Sequence, residues 1–133
     1  MLIQFYDLCL IHEEKLKFAV ISAVYKGKWV YVRHKGRKIQ EIAGGYRELG
    51  ETIVDTAKRE LFEETGGIEY NLYPICDYSM EYSGVRKFGR LFFARIKEFG
   101  QLPNSEISEV KWYDSPPINL TYIEIQPKLC GML

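Results

Sequence analysis

The sequence predicts a mixed α/β domain, and three stretches carry that prediction. Residues 18–25 (FAVISAVY) form a continuous apolar run of strand length, closed by Lys26-Gly27-Lys28 and followed by the β-prone residues 29–33 (WVYVR). A helix-forming segment follows Glu51, opened by Thr52 and closed by Gly66-Gly67. Beyond it, residues 70–82 and 87–97 are again rich in aromatic and β-branched side chains. Strands before and after a central helix must bury their apolar faces against it, which gives packed layers around one core.

The elements follow in order. The unbroken run 18–25 reads as a strand buried on both faces, and 29–33 as its hairpin partner across a glycine turn. Residues 38–43 read as a short strand feeding Gly44-Gly45. No proline interrupts the helix after Thr52. Pro74 splits 70–82 into β-prone pieces, and Gly84 serves the turn into 87–97. Residues 102–105 are loop, 110–113 a short strand, Ser115-Pro116-Pro117 a break and 118–129 a last helix whose end Pro127 weakens. The 133 residues form one domain, 1–133, long enough for a genuine core.

Composition narrows the function classes. Hydrophobic content of 47% and charged content of 27% are those of a globular domain. Lys+Arg and Asp+Glu balance at 18 each, so no global field draws the chain to a nucleic acid polymer or an anionic membrane. A small-molecule substrate suits that neutrality. Apolar stretches fall short of membrane-spanning length, and the N-terminus lacks a basic region followed by an apolar run. Cys9, Cys76 and Cys130 are odd in number and widely spaced, which predicts reduced thiols rather than a disulfide framework or zinc site. The expected compartment is the cytoplasm.

The chemistry concentrates in residues 45–66. Gly45 is followed by Glu51, then by Arg59-Glu60-Leu61, Glu63-Glu64 and Gly66. At about 100° per residue, Glu60, Glu63 and Glu64 fall within roughly a third of the helix circumference. Ile53, Ala57 and Leu61 lie on the neighbouring stripe, so the acidic face borders the buried side. Like charges that close repel. Arg59 can pair with Glu63 one turn on, but one arginine does not neutralise three acids; a hard divalent cation would. An ordinary solvated acidic helix is the bland alternative. It does not explain Gly44-Gly45, Gly50 and Gly66, which permit tight turns and close backbone approach to a ligand.

This arrangement resembles the Nudix box, G-x5-E-x7-R-E-U-x-E-E-x-G-U, a signature of pyrophosphohydrolases in which U is a bulky aliphatic residue. Eight positions match, which chance supplies in roughly one of 10^9 windows. The last differs: Gly67 stands at the aliphatic position, and Ile68 behind it is expected to take over the packing. The resemblance implies a Nudix-like α/β/α sandwich with a mixed sheet and the box as loop-helix-loop. It implies Mg2+, with Mn2+ as a substitute, held by Glu60, Glu64 and the Gly44 carbonyl, with Glu63 in support. Glu51 would coordinate directly or through water, and Arg59 would hold the carboxylates in register. The favoured general base is Glu60; Glu106 and Glu109, in the loop before Trp112, are the alternatives.

Outside the box the signals are weaker. The run Arg33-His34-Lys35-Gly36-Arg37-Lys38 reads as a solvated hairpin tip or as a phosphate contact through Arg33. Arg90, on a predicted strand, is the best additional phosphate-binding candidate, and Glu109 completes the expected substrate-contacting set. Phe5, Tyr6, Tyr78 and Tyr82 can stack on a base or fill the core. His12 and His34 have no partners at catalytic spacing and receive no role. Relatives often carry an aromatic residue and a proline where Gln40 and Ala43 stand, a departure that bears on base preference. The compact length is similar to MutT-like members, which implies hydrolysis of a (deoxy)nucleoside triphosphate, including oxidised forms such as 8-oxo-dGTP, to monophosphate and pyrophosphate. Dinucleoside polyphosphate hydrolysis, with Tyr82 as the downstream tyrosine, is the alternative within the family; Pro74 comes too early for ADP-sugar specificity. A catalytically silent nucleotide-binding module would show eroded acids, whereas all four are present. The resemblance implies a monomer or homodimer.

Overall fold

The computed structural model describes residues 2–103 and 106–115. Their order is β1 (Leu2–Tyr6), a 3-10 turn (Glu13–Lys15), β2 (Leu16–Tyr25), β3 (Lys28–His34), β4 (Ala43–Tyr46), α1 (Ile53–Thr65), β5 (Gly67–Tyr82), β6 (Val85–Phe99) and β7 (Ile107–Tyr113). The strands form one mixed sheet in the order β1-β5-β6-β2-β3-β7, with β4 paired to β2. Only β2 and β6 run parallel; the other pairings are antiparallel.

Strand β2 organises the sheet because both of its faces are covered. Ala19, Ile21 and Ala23 pack beneath Ile53, Ala57 and Leu61 of α1, together with Phe92, Ala94 and Ile96. Alternation along the strand turns Phe18 and Val20 to the opposite face, against Tyr31, Ile42, Tyr78 and Leu91. Double-sided burial explains the unbroken apolar run in the sequence. One edge of β2 is shared: its first half pairs with β4 and its last residues with β3. The sheet edge therefore opens where β4 enters, and β4 carries Gly44 and Gly45.

The helix begins at Thr52 with a reciprocal cap. Thr52 Oγ1 accepts from the Asp55 N–H at 3.1 Å, and Asp55 Oδ2 accepts from the Thr52 N–H at 3.0 Å. Gly66 ends it in the left-handed conformation (φ 79°), donating to the Phe62 carbonyl. Both hairpins turn through two residues of positive φ, Lys26-Gly27 and Ser83-Gly84, whose twist matches the flanking strands.

Several expectations change. Residues 67–82 form one continuous strand despite Pro74, because a register irregularity between Pro74 and Cys76 absorbs the missing donor. Strand β1 is an additional element, held by pairing to β5 at the far edge. The short strand expected over 38–43 is reduced to a single bridge, Glu41 to Val32, with β4 beginning at Ala43. Gly67 itself is buried and starts β5, while Ile68 stays half exposed and does not fill the aliphatic position. Among the described residues the helical layer is α1 alone; the expected helix at 118–129 lies outside them. No helix of the described residues is long and apolar enough to cross a membrane.

Because the cap fixes the first turn of the helix that carries Arg59 and the glutamates, Thr52→Ala is expected to lower stability by about 1 kcal/mol. Denaturant unfolding checks this; an unchanged midpoint would show that the cap is dispensable.

Candidate active site

Helix α1 lays its acidic stripe against strand β4. Glu60 reaches the backbone of Gly45, where a side chain would run into its carboxylate, so the residue at 45 must lack a Cβ. One turn on, Glu64 Oε1 accepts from the Gly44 N–H at 3.0 Å. Successive β4 glycines thus each face one glutamate of the helix.

Arg59 ties the cluster together. Its Nε lies 2.6 Å from Glu51 Oε2 and its Nη1 2.7 Å from Glu60 Oε1, while Nη2 donates to Glu51 Oε1 at 3.1 Å and the Tyr46 carbonyl at 2.9 Å. The contact with Glu63, the expected i,i+4 partner, is longer at 3.4 Å. Glu51 also accepts from the Glu48 N–H and the Thr56 hydroxyl, both at 2.9 Å. A carboxylate offers about four acceptor positions. Glu51 Oε1 receives three donors and Oε2 the Arg59 Nε, so here Glu51 anchors Arg59.

The electrostatics divide the acids. The Arg59 hydrogen bonds hold the Glu51 carboxyl down at about 2. Burial pushes Glu64 up to about 8; the Gly44 N–H opposes the shift, and the charges of Glu60, Glu41 and Glu63 add to it. Burial also raises Glu60, and the Arg59 hydrogen bond only partly offsets it. Glu60 and Glu64 are therefore carboxylates with too little positive charge around them.

A hard divalent cation fits that deficit. The donors are oxygens, and the absent Gly45 side chain leaves room for the Glu60 carboxylate at the strand. Among the described residues no three His, Cys, Asp or Glu side chains converge as a ready-made metal cage. Mg2+ typically takes one or two carboxylates and completes its shell with waters and phosphates. Glu60 and Glu64, backed by Glu63, are the residues that could hold it.

Of these glutamates Glu64 borders a cavity of about 200 Å³ on the sheet face opposite α1. Phe18, Val20, Tyr78 and Met80 make its apolar wall, while Arg37, Glu41, His34, Glu64 and Gly44 supply polar groups. His34 Nε2 lies 3.3 Å from both Glu41 Oε2 and Glu64 Oε2, and Arg37 Nη1 lies 2.8 Å from Glu41 Oε1. Sequence reasoning gave His34 no role and missed Glu41. Spacing could not reveal His34, since β3 brings it to the site. Glu41 did leave a signal: it sits in step with the buried Ala43 along 38–43, where a charge is out of place.

Other expected contacts lie elsewhere. Arg90 is held by Asp77, at 2.6 Å and 3.1 Å, and does not line the cavity. Asp77 is fully buried, so this pair is structural. Arg33 donates to Glu109 at 3.3 Å and to the Arg37 carbonyl at 3.1 Å. The Gln40 amide and Arg33 hold the Glu109 carboxyl below its ordinary value. Glu106 is exposed and accepts from the Lys35 N–H through its main-chain carbonyl. Of the aromatic candidates only Tyr78 lines the cavity; Tyr82 is exposed at the β5–β6 turn.

Comparison with known proteins agrees with this geometry. A family model described as NUDIX domain matches residues 15–124. No curated protein matches the chain in sequence. Among solved structures, a mutant of the Bacillus subtilis pyrophosphohydrolase BsRppH superposes with TM-score 0.83 at 20% identity, over 98% of this chain and 86% of that one. A UDP-X diphosphatase gives 0.72 at 19%, over 92% and 62% respectively. The NUDIX domain of Shewanella oneidensis NrtR, complexed with ADP ribose, gives 0.61 at 17%, over 81% and 77%. At these identities the structural likeness speaks for the fold.

The buried Glu64 carboxyl has a consequence for stability. Its value lies above the ordinary 4.5, so its stabilising contribution is complete below about 4.5 and is lost as pH rises through about 8. The metal-free chain is expected to lose on the order of a few kcal/mol across that window. Glu64→Gln should remove most of the slope. Unfolding measured in chelator from pH 5 to 8.5 decides the matter, and identical slopes for variant and parent would contradict it.

Proposed function

The chain belongs to the NUDIX domain family, hydrolases of phosphoric anhydrides, and from that premise we propose that it is a Mg2+-dependent pyrophosphohydrolase of a nucleotide-derived small molecule. The substrate this reading favours is a (deoxy)nucleoside triphosphate, cleaved to monophosphate and pyrophosphate. One observation carries it: the buried Glu60 and Glu64 each meet a glycine of β4, and Glu64 with that glycine pair borders a cavity that has an apolar wall and a polar end. The complex of NrtR with ADP ribose supports a nucleotide-derived ligand for this fold.

Glu60 and Glu64 would hold the cation, with Glu63 in support and the Gly44 carbonyl as a further oxygen donor. The ion would screen the phosphates and lower the pKa of a bound water. Glu60 is the general base. Arg59 grips its Oε1, which leaves Oε2 to accept the proton as the water oxygen bonds to phosphorus and the anhydride P–O bond breaks. The departing oxygen leaves with its electron pair on pyrophosphate. Arg59, anchored by Glu51, keeps Glu60 from swinging toward solvent. Glu109 serves less well, because Gln40 and Arg33 occupy its Oε1 and Lys111 stands 3.6 Å from its Oε2. The apolar wall beside Glu64 receives the base. Tyr82 lies away from that wall, so nothing in the cavity favours a dinucleoside polyphosphate.

A panel of nucleoside triphosphates, dinucleotides and diphosphate sugars, with products identified, tests this reading. Monophosphate plus pyrophosphate in Mg2+ or Mn2+ is expected, with none in chelator; no hydrolysis of any phosphoric anhydride would overturn it. Glu60→Gln should lower kcat by about 10^2 to 10^4 while nucleotide binding survives. Full activity in that variant would move the base elsewhere.

A further inference from the structure

The cavity has an aromatic wall and a polar end. Phe18 packs against Tyr78 at 5.5 Å and against Tyr46 at 5.8 Å, and all three line the space. Within it Glu41 is a carboxylate only 5% exposed. A buried carboxylate on the wall of an apolar cavity is costly unless its acceptor positions are filled. Arg37 donates to Oε1 at 2.8 Å, and the single His34 Nε2 stands 3.3 Å from Oε2 and equally far from Glu64 Oε2. A carboxylate has about four such positions. Two remain, one on each oxygen, for neighbouring N–H donors of a ligand.

We propose that Glu41 is the specificity-determining residue of this cavity, and that with Arg37 it selects a base whose edge carries a lactam N–H beside an exocyclic amine. Guanine has that edge: N1–H and the 2-amino group donate to Glu41, and O6 accepts from the Arg37 guanidinium. Hypoxanthine lacks the 2-amino donor. Adenine and cytosine set a ring acceptor against the carboxylate, and uracil flanks its N–H with carbonyls. A pterin carries the same amino-lactam edge as guanine. Gly44 and Glu64 line the same cavity, so a base seated on Glu41 lies in the pocket that the helix borders.

This inference rests on the nucleotide reading above, but recognition can be measured apart from hydrolysis. Isothermal titration calorimetry of the full chain in Mg2+ with GMP, IMP and AMP, which contain no anhydride, reads it directly. GMP should bind about tenfold or more tighter than IMP, and AMP more weakly still. In Glu41→Gln, checked for folding by its melting temperature, the ratio of GMP to IMP affinity should fall to within about twofold. Neopterin in the same titration separates the two sources, since tighter binding than GMP identifies a pterin and weaker binding a guanine nucleotide. Equal affinities for GMP and IMP in the parent protein would overturn the proposal without recourse to any variant. So would a ratio that survives in a folded Glu41→Gln. A preserved ratio without turnover condemns the reaction alone, and turnover without a ratio condemns this assignment alone.

Discussion

The site depends on one guanidinium. Arg59 bridges Glu51 and Glu60, with Nε at 2.6 Å from the first and Nη1 at 2.7 Å from the second. Without that bridge, Glu60 would be an acid pressed against a strand backbone, facing Glu63 and Glu64 on the same turn of helix. An ion pair in a part-buried setting is not by itself strong evidence of stability. Here its value is geometric. A planar fork engages both oxygens of Glu51 and one of Glu60, which a single ammonium could not do. The helix can then carry more negative charge at its inner face than its own surroundings neutralise, a surplus that a divalent cation would offset.

The fold delivers the other half of the site by dividing an edge. Because β2 pairs first with β4 and then with β3, the glycine pair lies on a short strand beside the first half of β2. There Glu64 of α1 reaches the Gly44 N–H and the border of the cavity. Small residues make this possible. Ala19, Ala57 and Ala94 let the helix pack closely on the sheet, and Gly45 leaves the space that the Glu60 carboxylate fills. The acidic stripe of the helix and the cavity thus meet at Glu64 and the glycine pair.

What could be read from the sequence follows from how local each cause is. The helix, its cap at Thr52, its stop at Gly66 and the convergence of Glu60, Glu63 and Glu64 depend on residues within a few turns of one another. The double-sided burial of residues 18–25 was equally plain, since a strand covered on both faces cannot alternate. Three features depended on partners far away in the chain. Arg90 looked free until β5 supplied Asp77; His34 looked idle until β3 and α1 brought it to Glu64; and β1 has no stability apart from β5. Ile68 failed as a substitute for the missing aliphatic because the strand begins at Gly67 and alternation turns the next side chain outward.

The central claim is that Arg59 gives the carboxylates their metal-binding arrangement. The most direct measurement is Mn2+ affinity at pH 8.5, followed by electron paramagnetic resonance, for the parent protein and for Arg59→Lys. A lysine keeps the charge but grips fewer carboxylate oxygens, so affinity should fall by about tenfold or more with the fold intact. Equal affinity in the two proteins would contradict the account.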